Sequence, residues 1–108
     1  MIEYTEVEGI YYEIDTKRKQ GSSELETIKT EKFRFIGKLF QVSEELQFRL
    51  FQMQSDGAIC LHIINNSQPI ELNNMIVING IEYRVLQESG SIFDRNIMLV
   101  RYDKDVAS

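Results

Sequence analysis

A chain of 108 residues with 43% hydrophobic and 27% charged side chains has the composition of a globular domain and the length for one core, which excludes two self-sufficient domains. Its 12 Lys and Arg against 17 Asp and Glu leave a net charge of −5, which argues against a surface built to neutralise phosphates. One His, one Cys and one Pro leave few parts for a catalytic constellation, so a non-enzymatic structural or binding role is the expectation.

In chain order, residues 1–6 lack the basic start and apolar stretch of a leader, and no apolar run in the chain approaches the ~18–20 residues of a membrane span. Gly9-Ile10-Tyr11-Tyr12-Glu13-Ile14 is β-prone. The stretch from Asp15 to Glu24 carries Lys17-Arg18-Lys19-Gln20-Gly21 and no core-forming residue, so residues 16–24 are expected to form the mobile tip of a long hairpin or loop. Phe33 to Phe40 reads as a second strand, alternating until Gly37. Two periods fit residues 43–54: a helix capped by Ser43, with Leu46, Leu50 and Met53 on one stripe and Gly57 closing it, or a strand turning at Asp56-Gly57 into the next segment.

Ala58 to Ile64 is the expected central strand, with Ile59, Leu61 and Ile63 on one face and Ala58, Cys60, His62 and Ile64 on the other. A loop follows from Asn65 to Pro69. Asn79-Gly80 between Met75-Ile76-Val77-Ile78 and Ile81-Glu82-Tyr83-Arg84-Val85-Leu86 predicts a type I′ hairpin in which Ile78 faces Ile81 and Ile76 faces Tyr83 toward the core. Ser89-Gly90-Ser91 opens a connection, Ile97 to Tyr102 forms the last strand, and residues 103–108 are a fraying tail. The sum is a single mostly β domain over 1–108: a small antiparallel barrel or sandwich of about six to seven strands, with one short helix if 43–54 takes that period.

The reactive inventory is thin. Cys60 has no partner for a bridge, which fits a reducing compartment. Cys60 and His62 share a strand face without the further ligands zinc requires or an obvious third catalytic member. The six glycines stand singly, so no phosphate-cradling motif is present. Glu44-Glu45 and Asp103/Asp105 read as solvated charge, and no catalytic, cofactor or metal residue is assigned. Lys17, Arg18, Lys19, Gln20 and Gly21 are the candidate interaction loop. Tyr11, Tyr12 and Phe93 are candidates for an exposed aromatic patch suited to assembly.

Residues 55–102 order a strand (Ile59 to Ile63), a polar loop (Asn65 to Pro69), a hairpin (Met75 to Val85), a variable loop (Gly90 to Asn96) and a final strand (Ile97 to Val100). This order resembles small phage proteins of the head-tail joining or head-tail adaptor (head closure) family. The chain departs from that family in lacking Trp and in ending its central strand with Ile64-Asn65, where the family places Arg. The resemblance implies a virion component, made in the bacterial host cytoplasm, that assembles as a homo-oligomeric ring between portal and tail. Its partners would be portal or adaptor and tail-completion proteins. DNA would pass its acidic surface without sticking, and no cofactor, small-molecule substrate or membrane is implied. The alternative is a small β-barrel binding module, such as an OB-like nucleic-acid or protein-interaction domain, which requires Lys17, Arg18, Lys19, Arg34 and Arg49 to converge.

Overall fold

The structure, a computed structural model, describes residues 4–18, 20–21, 23–53, 57–64, 66–91 and 94–102. The expectations placed on Lys19, Ser55, Asp56, Phe93 and residues 103–108 lie outside these. The described elements are β1 (Thr5–Arg18), β2 (Leu25–Gln41), α1 (Glu44–Phe51), β3 (Ile59–Ile64), β4 (Met75–Ile78), β5 (Ile81–Ser91) and β6 (Asp94–Arg101). All the pairings are antiparallel, and the order β1-β2-β3-β6-β5-β4 closes through β4 and β1 into a barrel. Closure removes the edges that an open sheet of this size would expose.

Strand alternation builds the interior. Val7, Tyr11, Phe35, Leu61, Ile63, Ile76, Ile78, Val85, Ile97 and Leu99 bury their side chains in one cluster, as period-2 patterning requires of one face. The Asn79-Gly80 hairpin has the expected register, Ile78 opposite Ile81 and Ile76 opposite Tyr83. Both turn residues have positive φ, 51° and 77°, as a type I′ turn demands. β5 continues through Ser89, Gly90 and Ser91, so these residues belong to a strand and not to the expected connection. The pairing of β5 with β6 carries them.

Of the two periods that fit residues 43–54, the described residues take the helical one, over Glu44–Phe51. Ser43 accepts a hydrogen bond from the Leu46 N–H at 3.2 Å, satisfying one of the orphan donors of the first turn. The helix ends at Gln52, whose left-handed φ of 57° lets its N–H reach the Phe48 carbonyl; Gly57 plays no part in the cap. The buried pair is Gln47 and Phe51, one turn apart, while Leu50 and Met53 pack beside them. This stripe covers Cys60, Met98 and Leu86 on the outer wall of the barrel. Covering them explains why β3 is apolar on both faces, and burial of a Phe51-sized side chain contributes about 2–3 kcal/mol.

Candidate functional site

The two longest strands outrun the barrel. β4 holds β1 only through Gly9, Ile10, Tyr11 and Tyr12, and β3 holds β2 only from Gly37 to Gln41. Beyond Tyr12, β1 and β2 pair with each other alone, from Glu13 opposite Thr30 to Arg18 opposite Leu25. Six residues at ~3.3 Å each make a ribbon reaching roughly 20 Å beyond the barrel, and the molecule is 55 Å long against 30 and 23 Å across. Thr16, Lys17 and Arg18, expected in a loop of 16–24, are therefore paired strand residues opposite Thr27, Glu26 and Leu25.

The base of the ribbon is fixed by side chains. Tyr11 is buried, which removes it from the proposed aromatic patch, and its hydroxyl accepts from the Asn74 Nδ2 at 2.8 Å and the Glu71 N–H at 2.9 Å. Asn74 Oδ1 in turn accepts the Ile14 N–H at 3.0 Å, capping the β1 edge where β4 stops. A bulge between Tyr11 and Tyr12 shifts the register with β2, adding local twist. Lys29 meets Glu82 at 2.8 Å and Lys32 meets Glu13 at 3.4 Å; the Glu82 carboxylate raises the Lys29 ammonium above its ordinary pKa.

The far end carries Lys17, Arg18, Gln20 and Gly21, all exposed, with Gly21 at φ 75° in the turn. Leu25 and Ile28 are exposed beside them. Arg34 lies eight strand positions from the Lys17–Glu26 pair, roughly 26 Å along β2, and its guanidinium bonds Glu31 at 3.2 Å. Arg49 sits on α1, which packs against β5 and β6. Lys17 and Arg18 thus lie far along the ribbon from Arg34, and Arg49 stands on a different element.

Cys60 is fully buried beneath α1, and desolvation pushes its thiol up to about 12. His62 is on the same strand face, and its Nε2 pairs with Asp94 Oδ1 from β6. A shallow depression joins His62 to Glu6 and Lys38 between the exposed Ile36 and Ile64, without the Cys60 sulfur. A buried, protonated thiol outside the depression supplies no nucleophile to that His-Asp pair. Among the described residues no group of three His, Cys, Asp or Glu is placed to hold a metal, and no helix is long and apolar enough to cross a membrane.

Sequence reasoning missed Arg95. It is 4% exposed, donates from Nε to Glu88 at 2.7 Å and from Nη1 to the carbonyls of Asn66 and Gln68 at 2.9 and 2.6 Å, and so clasps the β3–β4 loop to the barrel. No motif marks such a residue, since its partners lie 7 to 29 positions away. The fold defined by these elements is a small closed antiparallel barrel with one covering helix and a projecting ribbon. No family model, curated protein or solved structure matches the chain.

Proposed function

We propose that this chain is a structural subunit of a phage or prophage head-tail junction, assembling as a ring between portal and tail. The observation that carries the reading is the projecting ribbon, a two-stranded arm with exposed Leu25 and Ile28 and cationic Lys17 and Arg18 near its end. A rigid barrel with an arm presents two different surfaces, as a closed head-to-tail ring requires of each subunit. The strand order of residues 55–102 and the net charge of −5 support the same role, an acidic wall letting DNA slide by like-charge repulsion. The depression at His62 lacks a nucleophile, and the spread of Lys17, Arg18, Arg34 and Arg49 gives the nucleic-acid-binding alternative no shared platform. Gene neighbourhood tests the proposal: portal and major capsid genes on one side and tail genes on the other are expected. A metabolic operon would overturn it.

A further inference from the structure

The backbone of the ribbon has two open sides. Ile14 turns its N–H away from β2, toward Asn74, and antiparallel alternation turns Thr16 and Arg18 the same way. Their register partners Thr27 and Leu25 then point their own N–H and C=O groups to the opposite side of the ribbon. Among the described residues no strand pairs with either side: β4 ends at Tyr12 and β3 begins at Gly37. The two open sides are different, residues 13–18 on β1 and 25–36 on β2, and the Thr16–Arg18 stretch of one copy can meet the Leu25–Thr27 stretch of the next.

We infer that the Thr16–Arg18 edge of one copy pairs antiparallel with the Leu25–Thr27 edge of the next, so that successive ribbons form a continuous β-collar. The occupant is a second copy of this chain, and the inference rests on the ring reading above. Within a ring, strands of neighbouring copies at equal height meet in the register they already keep inside the hairpin. The new ladder then sets Thr16 against Thr27, Lys17 against Glu26 and Arg18 against Leu25, pairs present in each hairpin. No like charges stand directly opposite, and Lys17 with Glu26 adds a complementary cross-strand pair. Thr16 with Thr27 and Arg18 with Leu25 are the pairs whose outward backbone groups meet, so they form the intermolecular hydrogen bonds. Asn74, already bonded to Ile14, stops the ladder at the barrel and fixes its length.

The contact is heterologous, so residue 16 of one copy meets residue 27 of the next and never another residue 16. Two full-length variants, Thr16→Cys and Thr27→Cys, are prepared separately and oxidised alone and mixed. Paired Cα atoms near 5.5 Å in a hydrogen-bonded pair lie within disulfide range, and buried Cys60 stays silent. A disulfide-linked heterodimer in the mixture, absent from either variant alone, is the expected result. Adding Leu25→Pro to the Thr27→Cys chain removes one outward N–H and leaves the hairpin's own bonds intact; it should lower the mixed yield about fivefold. Mixed yield no higher than for the single variants, Thr16→Cys dimerising by itself, or no effect of Leu25→Pro would each overturn the collar. A phage gene neighbourhood without the mixed disulfide removes the collar alone, and the disulfide in a chain from a metabolic operon removes the connector reading alone.

Discussion

Replacing Arg95 by Met would strand Glu88 and the carbonyls of Asn66 and Gln68 together. Removing the buried guanidinium leaves a partly exposed carboxylate and two carbonyls without their donor, and the expected loss is about 1–3 kcal/mol of unfolding free energy in urea titration. Cys60 gives a second expectation, set by pH. Its thiol ordinarily titrates near 9 and stands at about 12 in the fold, so the native state keeps a proton that the unfolded chain releases. The associated stability is complete below pH 9 and drains away as the pH climbs toward 12, by at most ~1.4 kcal/mol per unit. Cys60→Ala should flatten that alkaline slope in denaturation curves from pH 8 to 11, whatever its effect at neutral pH. An unchanged slope would show that the thiol is not the group responsible. Native Cys60 should likewise resist alkylation at pH 8 until denaturant is added.

The β4–β5 hairpin is the element whose rules are most local. Gly80 sits at φ 77° with open space where a Cβ would stand, so Gly80→Ala meets backbone strain without a clash. It should cost about 1–2 kcal/mol in thermal or urea unfolding while leaving the register of β4 and β5 in NMR spectra unchanged. That hairpin was legible in the sequence because two turn residues and eight flanking side chains contain the whole instruction. The helix over 44–51 was legible only as one of two periods: Leu46, Phe48 and Leu50 alternate like a strand, and the deciding contacts, Phe51 on Met98 and Cys60, are made with distant segments. The ribbon was misjudged in length because Thr16, Lys17 and Arg18 bury nothing. What orders them is the antiparallel register with β2, which leaves no apolar trace. His62 with Asp94 and Arg95 with Gln68 were invisible for a related reason, since each depends on the barrel bringing β3, its following loop and β6 side by side.

For the molecule as a whole, the barrel and the ribbon divide folding from assembly. Residues 15–18 and 25–32 are exposed, and the ion pair of Lys29 with Glu82 is solvent-facing, so the ribbon adds little to the core. Replacing residues 16–27 by Asn-Gly, joining Asp15 to Ile28, should leave the melting temperature within a few degrees of the full chain. The same deletion should abolish copy-to-copy association, read by light scattering across a concentration series. A collapse of the melting temperature would show instead that the arm is integral to the domain. The bulge beside Tyr12 explains how such an arm can be appended at all. Lys32 is the unmatched residue there, so β2 changes phase: its odd-numbered side chains, Phe33 and Phe35, fill the core below the bulge, whereas Leu25, Thr27 and Lys29 share the face of Tyr12 and Ile14 above it. The barrel and the arm therefore obey separate reading frames joined at one residue. Matched insertions of two residues per strand would lengthen the reach in steps of ~7 Å without touching a single core position, which makes reach a property that evolution can tune independently of stability.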